Sequence, residues 1–315
     1  ILVGHLFAST LSVLTNQGQG LFAPATQYDV RFDGATHIAT GDLNGDAKTD
    51  VAIAFGNGTN LVGVLLNQGD GTLGTMQSQV VDQGPSSIAI GDLNDDGKAD
   101  FAVAGNDVNV LYNNGDGTFA PVTHVATNGA PSFVALADVD GNGKLDIVFA
   151  TTSSNVVGVM LNQGNGAFST AVTYPVGMSP ISIATGDVSG DGKPDLAVAN
   201  ISSDDVSILV NQGNGTFGAA VHMPAGATPT EVTMADMNGD GALDILVASQ
   251  NSNAVSVLLN QGMGVFGATT NYPAGARPHS VAAADVTGDG RPDIVVANNV
   301  TNKKDVSVLR ANCLP

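Results

Sequence analysis

Asp138-Val-Asp-Gly-Asn-Gly-Lys-Leu-Asp146 is one of six copies of a nine-residue string. The others are DLNGDAKTD from Asp42, DLNDDGKAD from Asp92, DVSGDGKPD from Asp187, DMNGDGALD from Asp236 and DVTGDGRPD from Asp285. Successive starts lie 50, 46, 49, 49 and 49 residues apart. A second string, close to Asn-Gln-Gly-x-Gly-x-Phe, falls between them at Asn16–Phe22, Asn67–Leu73, Asn113–Phe119, Asn162–Phe168, Asn211–Phe217 and Asn260–Phe266. Two independent motifs holding one phase establish an internal repeat.

Every segment between the motifs reads as strand. Ser280-Val-Ala-Ala-Ala284 precedes an Asp-rich loop and Ile294-Val-Val-Ala297 follows it. Val255-Ser-Val-Leu-Leu259 precedes an Asn-Gln-Gly turn and Phe266-Gly-Ala-Thr-Thr-Asn-Tyr272 follows that. These are short alternating or β-branched runs bounded by Gly, Asn, Asp and Pro, with no helical period of useful length. A unit is therefore four strands, A to D, with the Asp-rich loop between A and B and the Asn-Gln-Gly turn between C and D. A Gly-x-x-Pro corner such as Gly177–Pro180, Gly226–Pro229 or Gly275–Pro278 leads to the next unit. Four strands per 40 to 50 residues predict an all-β, seven-bladed β-propeller of four-stranded antiparallel blades. A linear β-solenoid is the alternative, disfavoured because its coils are shorter.

Aligning Ile1 with Ile245 places Ser12-Val-Leu14 and Asn16-Gln-Gly18 on Ser256-Val-Leu258 and Asn260-Gln-Gly262 without a gap. The count becomes seven B and C strands but six A and D strands, so both terminal blades are incomplete. The expected organisation is a single domain over 1–315 with repeats near 1–34, 35–84, 85–130, 131–179, 180–228, 229–277 and 278–315.

Composition narrows the function. The chain has 315 residues, 28 Asp against one Glu, 40 Gly, no Trp and a formal charge of -19. So few scattered cations argue against nucleic-acid binding, which needs clustered Lys and Arg. No apolar run approaches the roughly 20 residues of a membrane span, so no membrane insertion is expected. Asp rather than Glu suits tight turns and oxygen-ligand loops.

Numbered 1 to 9, the loop offers side-chain oxygens at positions 1, 3, 5 and 9 and a backbone carbonyl at 7. Alternating hard oxygens with Gly at position 6 are what Ca²⁺ requires. Mg²⁺ prefers retained waters and a strict octahedron, and Zn²⁺ prefers Cys and His. The predicted ligands are Asp42, Asn44, Asp46, Lys48 and Asp50 in loop 1, and Asp92, Asn94, Asp96, Lys98 and Asp100 in loop 2. Loop 3 contributes Asp138, Asp140, Asn142, Lys144 and Asp146, and loop 4 Asp187, Ser189, Asp191, Lys193 and Asp195. Loop 5 contributes Asp236, Asn238, Asp240, Ala242 and Asp244, and loop 6 Asp285, Thr287, Asp289, Arg291 and Asp293. The position-7 residue serves through its carbonyl. The bland reading is an acidic hairpin turn, but a turn has no evident need for an acid at position 9. About six Ca²⁺ would add +12, taking -19 to -7. Loops 2 and 3 look complete, Ser189 and Thr287 are weaker neutral ligands, and Ala47 replaces the position-6 Gly, so loop 1 should bind most weakly.

With these residues in place, the units resemble FG-GAP or VCBS repeats, the calcium-binding blades of integrin α-chain heads and of many secreted bacterial proteins. The resemblance covers nearly the whole chain and implies calcium-stabilised propellers used in adhesion, recognition or scaffolding, with the Asp loop joining strands A and B. Ala47, the incomplete end blades and the lack of long inter-strand loops depart from that pattern.

Three functions follow as expectations. The first is a secreted or cell-surface structural or adhesive module, such as a fibre subunit or tandem array, that self-associates through its incomplete blades or binds a protein or glycan ligand. Near-interchangeable blades and short loops support it. The second is a lectin, weakened by the absence of Trp; Tyr174 and Tyr272, at one late strand-D position, read as packing, and Tyr28 and Tyr112 are the other tyrosines. The third is a polysaccharide-lyase-type enzyme, for which His37, Glu231 and His279 near strand A are thin acid–base candidates. His5, His124 and His222 read as surface residues with no acidic or nucleophilic neighbour, and no G-x-S-x-G, Walker loop or H-E-x-x-H occurs. The expectation is a non-enzyme. Extracellular calcium would fill modest loops that resting cytosolic calcium leaves empty.

Minor signals add little. Cys313 is the one thiol, and sequons begin at Asn57, Asn200, Asn214 and Asn299. No charged-then-apolar leader opens the sequence, so a signal peptide is expected to have been removed.

Overall fold

The computed structural model describes residues 1–82, 84–127, 129–300 and 303–311; Cys313 lies outside them. Among the described residues, seven antiparallel blade sheets of three or four strands follow one another along the chain, with three two-stranded ribbons at Asn-Gln-Gly turns and one short 3-10 turn at Gln250–Ser252. Blade 4 shows the pattern: strands A to D are Phe133–Ala137, Asp146–Thr151, Val156–Met160 and Val172–Pro175. Blades 2 to 6 have four strands in simple meander order. Blade 1 holds only Leu2–Gly4, Thr10–Val13 and Thr26–Asp29, the B, C and D strands. Blade 7 holds Pro278–Ala284, Asp293–Val300 and Lys303–Leu309, the A, B and C strands. The terminal blades are thus each one strand short. Among the described residues no helix is long and apolar enough to cross a membrane.

Strand B is buried along its whole length in blades 2 to 6, which explains why it reads as a continuous apolar run. Each of these five blades is sandwiched between two others, so both faces of its middle strands are core. Strand D is the wet outer edge, where only the third residue turns inward, as Tyr28, Tyr174, Met223 and Tyr272 do. These tyrosines pack against the apolar clusters, Tyr174 edge-on to Phe217 at 5.6 Å.

The core lies between blades, not within them. Val148, Ala150 and Val157 of blade 4, for example, meet Ile183, Leu196 and Val198 of blade 5. Six such clusters join blades 1 to 7 pairwise in order, and among the described residues none joins blade 7 back to blade 1. That seam is closed by polar contacts. The amide of Gly20 and the side-chain Nδ2 of Asn16 both donate to the Val286 carbonyl at 3.0 Å, and Arg310 donates to the Gln19 carbonyl.

Candidate metal centre

Each Asp-rich loop joins strand A to strand B, with strand B starting at position 9. The position-1 carboxylate organises the loop by accepting backbone amides. In loop 3, Asp138 Oδ1 accepts from Gly141 and Asn142 at 2.8 and 3.1 Å, and Oδ2 from Gly143 at 2.8 Å. The same pattern recurs at Asp42, Asp187, Asp236 and Asp285. Position 6 has positive φ in every copy, and Ala47 takes it at 62° where glycines sit at 80° to 88°. The left-handed backbone expected there is present, and a β-carbon in it costs roughly 1 kcal/mol.

The position-9 aspartate has a task that the sequence did not suggest. Asp146 is fully buried and uses both oxygens on backbone amides. Its Oδ2 accepts from Val139 at position 2 at 2.8 Å, and its Oδ1 from Asn162 of the Asn-Gln-Gly turn at 2.7 Å. Asp50, Asp100, Asp195, Asp244 and Asp293 repeat this fastening, with Ala311 standing where blade 7 would carry the turn Asn. An acid at position 9 therefore serves the fold even without an ion.

The turn Asn makes the next link, also missed in the sequence. Asn162 Nδ2 donates to Leu145 O of its own loop and to Leu93 O at position 2 of the preceding blade's loop, each at 3.0 Å. Asn113, Asn211 and Asn260 do likewise towards Leu43, Val139 and Val188, and Asn16 towards Val286 spans the seam between blades 1 and 7. The recurrence of this Asn in phase was the one available signal. At the inner rim a second link runs the other way. Before four of the six loops, the residue five positions upstream accepts the following blade's strand-A amide: Ser87 from Val134, Ser182 from Val232, His37 Nδ1 from Ile88 at 3.3 Å and Glu231 Oε2 from Val281 at 2.8 Å.

His37 and Glu231 thus occupy an acceptor position that is serine at Ser87, Ser182 and Ser280 and phenylalanine at Phe133. Both keep some accessible surface but sit in dense surroundings. Burial drives His37, which lies edge-on to Phe133, down to about 4, and pushes the Glu231 carboxyl up. The three outer histidines are exposed or half-exposed as expected, but the expectation that they lack polar neighbours is wrong. His5 bonds Ser12 at 2.7 Å, His124 pairs with Asp82 at 2.9 Å, and His222 lies between Ser207 and Asp205. The last trio is not a nucleophilic relay. Ser207 and Asp205 approach the same ring nitrogen, at 3.1 and 3.5 Å, whereas a relay needs opposite nitrogens. Ser207 is also fully buried and receives the Asn200 amide. The sequon residue Asn200 is itself buried, so a glycan there is incompatible with the fold.

The six loops differ in what their carboxylates face. In loop 3 an oxygen each from Asp138, Asp140 and Asp146 lie within 4.8 Å of one another. Burial, opposed by the two amides and reinforced by Asp140 and Asp138, raises Asp146 to about 6. Burial also raises Asp100 and Asp244. In loops 1, 2 and 4 the position-7 lysine turns back on the position-5 aspartate: Lys48 on Asp46 at 2.8 Å, Lys98 on Asp96 at 3.3 Å and Lys193 on Asp191 at 2.7 Å. Hydrogen bonding to those lysines holds Asp46 and Asp191 below the usual carboxylate range. A cluster of hard oxygens around a buried acid of raised pKa fits a hard divalent cation, so the donor set of loop 3 fits Ca²⁺.

A closed ring of radially arranged four-stranded meanders, fastened by Asp-rich A–B loops, defines a β-propeller of the repeat class. The chain belongs to the FG-GAP-like repeat family, whose pattern matches residues 42–103, 92–149, 138–198, 187–247 and 236–296. Comparison with curated proteins gives no match. Among solved structures, a functionally unknown protein from Desulfotomaculum acetoxidans is similar with a TM-score of 0.65 at 13% identity, covering 98% of each chain. An Agrocybe aegerita lectin described for recognition of non-reducing terminal N-acetylglucosamine gives 0.62 at 21% identity, over 98% of this chain and 89% of that one. Virginiamycin B lyase from Staphylococcus aureus gives 0.63 at 15% identity, over 96% and 88%. At these identities the likeness is one of fold.

Proposed function

We propose that this chain is a calcium-stabilised propeller, secreted or displayed at a cell surface, with a structural or adhesive role and no catalysis of its own. The observation that carries the proposal is the convergence of Asp138, Asp140 and Asp146 in loop 3. Bound there, Ca²⁺ would supply the positive charge that three neighbouring carboxylates lack. The ligands would be those carboxylates with Asn142 and the Lys144 carbonyl, and the corresponding residues of the other five loops would serve in the same way. A non-catalytic role is supported by His37 and Glu231, which are engaged as amide acceptors between blades. Proteins outside cells meet millimolar calcium, enough for modest loops. Among the described residues, Leu2–Gly4 and Lys303–Leu309 are each paired on one side, an arrangement that suits strand addition.

Calorimetry tests the calcium part. Stripping with EDTA should lower the thermal midpoint by several degrees, calcium should restore it and magnesium should do so poorly. A midpoint indifferent to EDTA and calcium overturns the proposal. Sedimentation tests self-association, and a protein that stays monomeric at high concentration refutes it.

A further inference from the structure

Position 4 of the Asp-rich loop is glycine in five copies, Gly45, Gly141, Gly190, Gly239 and Gly288, with φ between 75° and 79°. Loop 2 alone places a side chain there: Asp95, at φ 64°. A left-handed backbone is unfavourable for a residue with a β-carbon, though less so for Asp than for most. The carboxylate so placed crosses the blade boundary and pairs with Lys144, the position-7 residue of loop 3. This pairing reverses what the other lysines do. Lys48, Lys98 and Lys193 each lie on an acid of their own loop, whereas loop 3 has the neutral Asn142 at position 5 and its lysine leaves. Loop 3 is also where three carboxylates converge.

We propose that Asp95 is a positioning residue for the neighbouring loop: it tethers Lys144 outside the carboxylate cage and so makes loop 3 the first and tightest calcium site of the ring. The inference rests on the calcium reading above and goes beyond it by ranking the sites and naming what sets the rank. An ammonium left free to lie over the cage opposes a divalent ion. For charges about 5 Å apart in a water-like, salt-screened setting this lowers affinity about five- to tenfold. Loops 1, 2 and 4 carry that handicap, because calcium must first displace a lysine from the position-5 acid.

The test is a calorimetric calcium titration of the EDTA-stripped full chain and its variants. Asp140→Asn should remove the tightest binding step, while Asp46→Asn leaves it in place. Asp95→Gly should weaken that step about five- to tenfold, although the metal-free protein melts no lower, since glycine suits the left-handed backbone. Lys144→Met in the Asp95→Gly background keeps the position-7 carbonyl and should restore wild-type affinity. Asp95→Asn, which keeps the side-chain shape, gives the same comparison should the glycine variant fold poorly. Tight binding that survives Asp140→Asn overturns the ranking. Affinity unchanged by Asp95→Gly, or still low in the double variant, overturns the tether; the latter would mean that Asp95 acts through its own charge. Wild-type protein with no calcium step at all refutes the calcium reading itself, a result distinct from either.

Discussion

Asn162→Ala isolates the link that joins the blades. The side chain is 1% exposed, and truncation strands three backbone groups: the carbonyls of Leu93 and Leu145 and the amide of Gly164, which now donates to Oδ1 at 2.9 Å. A buried group left without its partner costs about 1–3 kcal/mol. The bond to Leu145 is only part-buried, so values near the lower end of the range apply and the total is about 3–4 kcal/mol. For a cooperative unit of this size that corresponds to a fall of roughly 5 °C in melting temperature. Asn67→Ala is the internal control. It occupies the same turn in blade 2 but among the described residues its side chain bonds only Thr49 O and Gly69 N, both in its own blade, and it is partly exposed. Its cost should be about 1 kcal/mol. Urea unfolding followed by circular dichroism, in EDTA to keep calcium out, measures both. Losses equal within about 0.5 kcal/mol would show that the inter-blade bond contributes nothing, and the turn Asn could no longer be what closes the ring. Asn162→Asp should be worse than alanine, since it turns a carboxylate oxygen against two carbonyls.

Ala47→Gly should stabilise the protein by about 1 kcal/mol and strengthen calcium binding in loop 1; no gain on either measure counts against the left-handed strain at φ 62°. His37 takes up its proton near 6.5 when unfolded but only at about 4 when folded, so stability should fall as pH drops from 6.5 towards 4. His37→Ser keeps an acceptor for Ile88 and should remove that acid slope, worth at most about 3 kcal/mol by urea titration and nearer 2 because the ring is not fully enclosed. Glu231 has the opposite sign: its folded pKa is raised, so its contribution is lost as pH rises, and Glu231→Ser should help most at alkaline pH. At the seam, the Gly20 amide bonded to Val286 O should exchange with deuterium faster than its counterpart Gly215, bonded to Val139 O, and equal protection would refute a weak junction there.

The repeat, the strand order, the short terminal blades and the backbone at Ala47 were legible because each is written in local spacing. A loop of nine, a turn of seven and a Gly-x-x-Pro corner say where strands begin and end whatever lies beside them. Cross-blade partners were not legible. Asn113 and Leu43 are 70 residues apart, and His37 and Ile88 are 51 apart; nothing in linear sequence pairs them. His222 was misjudged for a related reason, since its partner Ser207 lies opposite it across strands C and D at a separation of 15. The recurring Asn and Ser hinted at a shared duty, but their in-phase return from blade to blade fits a local turn equally well. Only the ring distinguishes the two.

The position-2 residue shows why the loops and the ring act together. Its amide is held by the position-9 aspartate of its own loop, and its carbonyl accepts the turn Asn of the next blade, as with Val139 between Asp146 and Asn211. That Asn in turn has its own amide on Asp195, which holds Val188, whose carbonyl accepts Asn260. Ordering one loop therefore fixes a carbonyl that orders the next blade's turn, and the chain of bonds alternates carboxylate, amide and carbonyl around the circumference. An ion bound to a position-9 aspartate would act at a node of this chain rather than on an isolated hairpin. Blade 7 interrupts it, because Ala311 stands where the donor Asn belongs, and among the described residues Met237, the position-2 residue of loop 5, is left without that bond. The same Asn bond is missing between blades 2 and 1, where Asn67 stays within its own blade, and the seam between blades 7 and 1 keeps the Asn16 bond but has no apolar cluster among the described residues. Forces on the ring should therefore open it at one of these three junctions first, while the unbroken run through loops 1 to 4 stays shut.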